Sequence, residues 1–226
     1  MDFMTNDSIA KLSLISSTVG IILLYLSAAS ISPCVTPISE IDENYIGLKT
    51  KISGEVIETQ KHSDGHLFLE IRGKNYEKMR VPIFSQTHSK LKDRIELLDN
   101  IEVKGEVTEY RGELQIQPTN SKNITVVNSA PLRISKISKS EVGEIVKVRG
   151  YISKRNKKED GSYSIILKNN DDEIKIHIPK KIASSPKLEM MQEGGMVKAA
   201  GPLELQENDI AITLRDIYNL NFDETS

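Results

Sequence analysis

Short stretches of alternating apolar and polar residues are the main pattern along this chain. In residues 49–57 every second side chain is apolar or small, and most of the side chains between them are polar. A period of two residues is typical of a strand with one buried face. The same alternation predicts strands over residues 66–72, 78–83, 101–107 and 114–116. The first half of the chain is therefore predicted to be mostly β-structure.

A helix and two glycines complete this first group of strands. Apolar residues in the otherwise polar stretch 86–98 have the spacing of one helical face, which predicts a short amphipathic helix. Gly54 and Gly105 lie in the middle of the first and fourth strands, where glycine allows the sharp coiling that barrel closure requires. Three strands, a helix and two strands in this order predict a five-stranded Greek-key barrel.

The pattern occurs twice. Residues 38–57 recur as residues 134–153 at a fixed offset of 96, without a gap. Matching continues at the glycines, where Gly47 meets Gly143, Gly54 meets Gly150 and Gly105 meets Gly201. Agreement over a domain length indicates two copies of one fold. We predict a first domain at residues 38–127 and a second at residues 132–222, joined by a short polar connection that lets each fold alone.

The second copy predicts the same order of elements. Its strands are predicted over residues 146–152, 162–168, 173–178, 196–203 and 210–215, with a helix over residues 187–193. Tyr163 falls on the core side of the second of these strands. The closing loop is acidic, because it contains Glu204, Glu207 and Asp209. The predicted fold class is thus all-β with short helices, arranged as two tandem five-stranded barrels after one hydrophobic amino-terminal helix.

The amino-terminal region has a different character. After a tail at residues 1–11, residues 12–31 contain no charge and are long enough, at about 1.5 Å per residue, to cross a bilayer. This predicts a transmembrane helix or a cleaved signal segment, followed by a Pro-bounded linker at residues 32–37. Lys11 precedes the segment and favours an extracytoplasmic position for the barrels. We therefore expect single-pass membrane localisation.

The closing hairpin of the first copy carries a resemblance to a known family. Residues 100–116, NIEVKGEVTEYRGELQI, resemble the last hairpin of OB-fold nucleic-acid-binding domains. The likeness is to the group that contains anticodon-binding domains of aminoacyl-tRNA synthetases and related helicase and single-strand-binding modules. It implies that each barrel is an OB fold whose ligand lies on the outer face of strands 2 and 3. OB folds also bind oligosaccharides and proteins.

Charge is distributed unevenly along the chain. The formal net charge is −2 and the pI is about 6.1, so no overall excess of positive charge indicates a nucleic-acid partner. Between residues 133 and 181, however, 13 Lys or Arg residues stand against 7 Asp or Glu residues. Any basic surface is therefore local and belongs to the second copy.

Binding of single-stranded nucleic acid needs positive charge for phosphates and flat side chains for bases. In the first copy the candidates are His66, Phe68, Arg72, Lys78, Arg80, Tyr110 and Arg111. In the second they are Lys147, Arg149, Tyr151, Lys154, Arg155, Lys157, Lys158, Lys168, Lys175 and His177. Phe68 is the least expected on an exposed face. The alternative for Phe68 is packing under the 73–78 loop, and for the basic residues a solvated surface.

Reaction chemistry is not indicated. Cys34 is the single cysteine, so the chain has no internal disulfide and no Cys-based zinc site. The four histidines lack convergent partners, and no nucleophile motif or phosphate-cradling Gly-rich loop is present. We expect no enzyme activity, no cofactor and no metal site.

The sequence therefore predicts a membrane-targeted protein that binds nucleic acid, most plausibly single-stranded DNA or RNA. The alternative is an extracytoplasmic module that binds a protein or a polysaccharide. A third role is that of an accessory subunit, which delivers nucleic acid to a protein partner such as a nuclease or an uptake complex.

Overall fold

The computed structural model describes residues 6–30, 34–206 and 209–222, with the side chains of the amino-terminal helix described for residues 11–25. Two compact units are present. The first, Met1–Cys34, contains one helix, α1 (Asn6–Ser30). The second, Val35–Ser226, contains both copies of the repeat. Glu207 of the predicted acidic loop lies outside the described residues.

The helix α1 corrects the predictions made for the amino terminus. It begins at Asn6, so the predicted tail is helical from that residue onward. Its described side chains include the hydroxyl groups of Ser13, Ser16, Ser17 and Thr18, which make the segment less apolar than its lack of charge suggests. No helix in the described part of the chain is long and apolar enough to span a membrane. The predictions of a transmembrane helix and of membrane localisation are therefore wrong, and the extracytoplasmic placement that depended on them is withdrawn.

The first copy forms a closed barrel. Its elements are β1 (Lys49–Lys61), β2 (Leu67–Arg72), β3 (Lys78–Ile83), α2 (Ser85–His88), β4 (Asn100–Tyr110), β5 (Glu113–Gln117) and β6 (Ile124–Val127). The strands follow the order β1-β2-β3-β5-β4, and β4 pairs with β1 to close the ring. Strand β3 pairs with β5 in parallel, and every other neighbouring pair is antiparallel.

The second copy repeats this topology. Its elements are β7 (Ile145–Lys157), β8 (Tyr163–Asn169), β9 (Asp172–Ile178), α3 (Lys180–Ala183), α4 (Pro186–Glu189), β10 (Met196–Gln206), β11 (Asp209–Thr213) and β12 (Leu220–Phe222). Short 3-10 turns occur at Ile38–Glu40, Glu43–Tyr45, Ser121–Asn123, Ile134–Lys136, Lys139–Glu141 and Ile217–Asn219. The predicted fold class of two tandem barrels is confirmed.

Each barrel has one strand more than predicted. The additional strands, β6 and β12, contain only four and three residues, too few to show a clear alternation. They add to the free edges of β4 and β10. Each sheet therefore has six strands instead of five.

The glycines inside the strands are required by close backbone contacts. A Cβ atom added to Gly54 would lie 2.7 Å from the carbonyl oxygen of Arg72, and one added to Gly105 would lie 2.6 Å from that of Gln117. Gly150 in the second barrel is equally restricted, at 2.9 Å from the carbonyl oxygen of Lys168. Closure brings neighbouring strands together at these points, as the sequence predicts.

The two predicted helices are shorter than expected, for one shared reason. The strands β1 and β7 each contain a register shift, after Val56 and Ile152 respectively. The shift in β1 leaves the amide and carbonyl of Val56 to bond with residues 98–99. In β7 the same groups of Ile152 bond with residues 194–195. Leu98 and Gly194, which donate two of these bonds, have positive φ angles of 66° and 85° that do not occur in an α-helix, and α2 and α4 end after four residues each.

Candidate nucleic-acid interface

A groove crosses the outer face of β2 and β3 in the first barrel. Its volume is about 570 Å³. We call it the aromatic groove, and the lining residues that could bind a ligand are His62, Phe68, Arg80, Phe84, Tyr110 and Arg111. The sequence predicts all of these except His62 and Phe84. Its position on strands 2 and 3 is the one that the resemblance to OB folds implies.

Phe68 lies in the groove. It is half-buried and faces Gln60 on one side and Pro82 on the other across the sheet. Its ring centroid is 5.0 Å from that of His62, in an edge-to-face arrangement. These neighbours differ from the 73–78 loop under which Phe68 would alternatively pack. Its place in the groove makes Phe68 the central aromatic residue of this face.

Two further aromatic residues lie along the same groove. Tyr110 is 54% exposed and Phe84 is 39% exposed. Phe84 directly follows β3 and precedes α2, so a strand-pattern analysis that stops at the strand end misses it. Exposed aromatic side chains that converge on one groove are uncommon on a surface without a binding partner.

The turn between β4 and β5 holds Tyr110 at the rim of the groove. Arg111 and Gly112 have positive φ angles of 54° and 80°, the conformation of a tight two-residue hairpin. The Arg111 guanidinium carbon lies 5.2 Å from the centroid of the Tyr110 ring. This contact places one positive charge beside one flat ring.

His66 has a different place from the one predicted. Its Nδ1 accepts a hydrogen bond of 2.8 Å from the amide of Ser85, and its Nε2 lies 3.3 Å from a carboxylate oxygen of Asp64. The His66 ring also packs edge-to-face against Phe84. His66 therefore connects the β1–β2 turn to α2 and supports the groove from outside its lining.

Three of the basic residues predicted for the first barrel are paired with glutamates. Arg72 lies 2.6 Å from Glu55, Lys78 2.8 Å from Glu70, and Arg80 2.5 Å from Glu113, each measured from nitrogen to carboxylate oxygen. These pairs are exposed or half-buried, and such pairs are worth about 0–1 kcal/mol. Only Arg80 lines the aromatic groove. The groove is thus aromatic and close to charge-balanced.

The second barrel brings charge and one ring together at the end of β7. The Arg155 guanidinium carbon lies 5.0 Å from the Tyr163 ring centroid, and the Lys157 Nζ lies 5.8 Å from it. The register shift after Ile152 moves Lys157 to the position opposite Tyr163. Tyr163 is half-buried and packs against the core of the second barrel, as the alternation predicts, so the two cations lie over a ring at the edge of that core. We call Arg155, Lys157 and Tyr163 the basic cluster.

The other residues predicted for the second barrel have mixed positions. Lys154 is exposed and sits opposite Ile166, which in turn pairs with Lys175 on β9. Lys168 lies 3.5 Å from Glu173. Three further predicted residues are Arg149 and Lys158, which are half-buried, and Tyr151, which is 53% exposed.

His177 contributes no charge to this face at neutral pH. It is half-buried on β9. Burial, followed by the positive charge of Lys158, lowers the pKa of His177 from its usual 6.5. The neutral imidazole is therefore the dominant form at pH 7, and phosphate attraction on this face depends on the lysine and arginine residues.

The prediction that Lys147 faces a ligand is wrong. Lys147 is 2% exposed, and its Nζ lies 2.8 Å from Asp99 Oδ1 and 3.3 Å from Glu96 Oε2. Both acids belong to the first barrel, which covers the start of β7. Alternation places Lys147 outward from its own barrel, but this outward face is the contact with the first barrel.

The contact between the barrels contains further polar bonds. Asp99 is fully buried and also accepts the amide hydrogen of Ser129, at 2.9 Å, in the short connection. The Thr59 hydroxyl donates to Asn219 Oδ1 at 2.6 Å. We call this set, Thr59, Glu96, Asp99, Lys147 and Asn219, the interdomain junction.

Comparison with known proteins supports this interpretation of the first barrel. Residues 50–127 match a family model described as an OB-fold nucleic acid binding domain. The matched residues run from β1 to β6. The strand order of the first barrel agrees with this match, and both describe an OB fold. No curated protein matches the chain.

Solved structures include distant likenesses. The HINa domain of Ifi202, in complex with 20-bp double-stranded DNA, is 16% identical, with a TM-score of 0.41 over 77% of this chain and 95% of that one. The tetrameric p202 HIN2 is 11% identical, with a TM-score of 0.43 over 77% and 93%. Asparaginyl-tRNA synthetase from Pyrococcus horikoshii is 9% identical, with a TM-score of 0.36 over 41% of this chain and 22% of that one.

Proposed function

We propose that this protein binds single-stranded nucleic acid across the outer faces of its two barrels, as a binding protein without reaction chemistry of its own. The observation that carries the proposal is the aromatic groove, where Phe68, Phe84 and Tyr110 converge on the face that OB folds use for ligands. The family match of residues 50–127 supports nucleic acid as the ligand.

Stacking favours a single strand over a duplex. Unpaired bases expose their π-faces to aromatic side chains, and each base stacked in this way contributes about 1–3 kcal/mol. In a duplex these faces are occupied by neighbouring bases. Because Arg80 is paired with Glu113, and Glu58 and Glu70 also line the groove, stacking supplies most of the affinity of the first barrel.

The second barrel contributes attraction to phosphates. Lys154 and Lys157 are exposed, and Arg155 and Lys157 lie over the Tyr163 ring. Cations at a surface bind backbone phosphates by releasing counterions, which makes affinity depend on salt. The basic cluster therefore binds the backbone of the same strand whose bases stack in the first barrel.

A second candidate function is protein binding through the same groove. The charge pairing of Arg80 with Glu113 favours it, because a nearly neutral aromatic groove also suits an apolar peptide segment. The two candidates differ in their response to salt, since only a phosphate backbone releases condensed counterions in proportion to the contacts made.

Fluorescence anisotropy of the full chain with labelled single-stranded and duplex oligonucleotides, at two salt concentrations, tests the proposal. We expect tighter binding to the single strand and a fall in affinity with added salt. Equal affinity for both forms would remove the single-strand preference. The absence of any salt-dependent binding would contradict the function and favour a protein ligand.

A further inference from the structure

A pocket of about 250 Å³ lies between the two barrels, close to the interdomain junction. The first barrel contributes Lys61, His62, Ser63 and Arg94, and the second contributes Lys187, Asp216, Ile217 and Tyr218. We call it the basic pocket. None of these residues is predicted as a binding residue by the sequence pattern, because they are distant along the chain.

Two cations contact the Tyr218 ring, and a third, Lys187, is bonded to neighbouring residues. The Arg94 guanidinium carbon lies 3.7 Å from the Tyr218 ring centroid, and the Lys61 Nζ lies 5.7 Å from it. Arg94 also donates a hydrogen bond to the Tyr218 carbonyl oxygen. Lys187 Nζ donates to Asn221 Oδ1 at 2.7 Å and to the Ile217 carbonyl at 3.3 Å. The side chains are therefore held in place by polar and π contacts.

Negative charge does not balance these cations. Asp216 is the single carboxylate in the pocket lining, and its two oxygens accept the amide hydrogens of Lys61 and Tyr218, each at 2.8 Å. Arg94 has Glu96 at 3.9 Å. Within the described residues, neither Lys61 nor Lys187 has a carboxylate oxygen within 4.0 Å. This contrasts with Arg72, Lys78 and Arg80, each of which has a close glutamate.

The imbalance has an electrostatic cost that is visible at Lys187. Burial, followed by the positive charges of Arg94 and Lys61, lowers the pKa of Lys187 to about 8. A lysine held among like charges gains stability when an anion enters. Phosphate oxygens accept several hydrogen bonds and carry negative charge, so they match the donors that Lys61, Arg94 and Lys187 present.

The basic pocket and the aromatic groove are adjacent. His62 lines both of them, and it directly follows the last residue of β1, Lys61. A strand whose bases stack on Phe68 therefore reaches the pocket by passing His62.

We propose that the basic pocket is a backbone-phosphate subsite, in which Lys61, Arg94 and Lys187 bind a phosphodiester group of the strand that occupies the aromatic groove. The inference rests on the proposed function and adds to it the path of the backbone from the first barrel to the second. A free phosphate ion shares the chemistry, so the test must separate the two sources.

The test is anisotropy with a fluorescein-labelled oligothymidylate of about 20 nucleotides, long enough to cover more than one OB fold. We compare the full chain with the double variant Lys61→Gln/Lys187→Gln. Each lost phosphate contact lowers the salt slope by ~0.7, so we expect a slope reduced by ~1.4 and an affinity roughly 25-fold lower at about 0.1 M salt. The matched control, Lys122→Gln/Lys139→Gln, removes two exposed charges outside the groove and the pocket.

Two single variants distinguish a lost phosphate contact from a change in folding. Lys187→Gln loses hydrogen bonds to Asn221 and Ile217, whereas Lys61→Gln alone changes an exposed side chain. We expect Lys61→Gln to lower the slope by ~0.7 and Lys187→Arg to keep the wild-type slope. If the double variant lost affinity but both of these matched wild type, the loss would be structural and the subsite would be refuted.

The pH dependence gives a second readout. The charged or titratable groups that face Lys187 are Arg94, Lys61, Asp216, Glu96, His62 and Tyr218. Burial raises the pKa of Tyr218, so its hydroxyl stays neutral up to pH 9. Lys187 is charged below about pH 8 and neutral above it. Affinity should therefore fall by up to about fivefold from pH 7 to pH 9, and Lys187→Arg should reduce this fall.

The outcomes separate the inference from the proposed function. If the wild type binds no oligonucleotide, the proposed function and the phosphate subsite are both refuted. If the wild type binds and the Lys61→Gln/Lys187→Gln variant has the same affinity and salt slope, the subsite alone fails. Calorimetric titration with inorganic phosphate separates a free phosphate ion from a phosphodiester. If the Lys61→Gln/Lys187→Gln variant loses phosphate binding but retains oligonucleotide binding, the pocket is a small-anion site and the inference is overturned.

Discussion

The two barrels share a scaffold but differ in the surface they present. Both have the same strand order, the same register shift in the first strand and the same close contacts at matched glycines. On the first barrel the candidate face is aromatic, and Arg72, Lys78 and Arg80 are paired with glutamates. On the second, Lys154 and Lys157 are exposed, and Lys157 lies over the Tyr163 ring. The repeat therefore preserves the fold, while the binding chemistry has diverged.

The difference shows which residues a repeat keeps for folding. Gly54, Gly105, Gly150 and Gly201 occupy equivalent places because backbone contacts leave no room for a side chain. Phe68 and Tyr110 have no aromatic counterpart at the matched positions Ser164 and Gln206. We infer that the first barrel supplies stacking and the second supplies charge.

The largest expected effect concerns the contact between the barrels. Asp99→Ala removes the carboxylate that lies 2.8 Å from the buried Lys147 Nζ. Loss of one partner of a buried pair costs about 3–5 kcal/mol, and the nearby Glu96 offsets part of it. We expect the free energy of unfolding, measured by urea denaturation, to fall by about 3 kcal/mol.

The control for this variant is Glu102→Ala, which breaks the exposed pair with Lys51. An exposed pair contributes about 0–1 kcal/mol, so little change is expected. If Asp99→Ala were as mild as Glu102→Ala, the junction would be energetically unimportant. The predicted independence of the two domains would then be the better description.

The next effect tests whether the scaffold is shared. Gly105→Ala and its match Gly201→Ala each force a Cβ against the backbone of the adjacent strand. Overpacking of this kind costs about 1–3 kcal/mol. We expect similar losses of unfolding free energy for both variants. Gly73→Ala is the control, because its Cβ would meet Ile38 at an ordinary 3.4 Å; unequal losses would show that the barrels tolerate distortion differently.

A comparable but local effect is expected at Phe68. Phe68→Ala removes the central ring of the aromatic groove and should weaken oligonucleotide binding by about 1–3 kcal/mol, with the salt slope unchanged. Tyr76→Ala is the matched aromatic control, since Tyr76 is 76% exposed and lies outside the groove. Binding by Phe68→Ala at wild-type affinity would show that no base stacks there.

The smallest effect should come from the second barrel. Lys154→Ser with Lys157→Ser removes two exposed charges, and we expect a salt slope lowered by roughly 1.4, while either single variant should lose affinity only about fivefold at about 0.1 M salt. Anisotropy across a range of salt concentrations measures this slope. An unchanged slope, or a change matched by Lys122→Ser/Lys139→Ser, would contradict the division between stacking and charge.

Alternation predicted the barrels well because each strand has one face in a core and one face outside it. The buried side chains of β2, Leu67, Leu69 and Ile71, are those that the period of two selects. Prediction from apolar spacing fails where contacts between distant residues override the local pattern. Residues 86–98 have helical spacing, yet Leu98 and Asp99 bond to the backbone of Val56, and Leu98 has a positive φ of 66° that is not helical.

The site was predictable only within a single barrel. Phe68, Arg80, Tyr110 and Arg111 lie together because strand register alone brings them to one face. The prediction for Lys147 was wrong because the first barrel covers the outward side of this residue. Lys61 and Lys187 could not be paired from the sequence, since their proximity depends on how the two barrels pack. For the amino-terminal segment, the prediction of a membrane span was based on the absence of charge alone, which did not take the apolar content of the segment into account.

The buried bond between Lys147 and Asp99 has a consequence for how binding should depend on ligand length. Because the connection at Ser129 is also tied to Asp99, the spacing between the two barrel faces is set before any ligand arrives. A preset spacing removes the entropic cost of a flexible tether, and it makes the second contact effectively intramolecular. From the proposed function we therefore expect strands shorter than this spacing to bind one face, and affinity to rise in a step once a strand is long enough to reach the other.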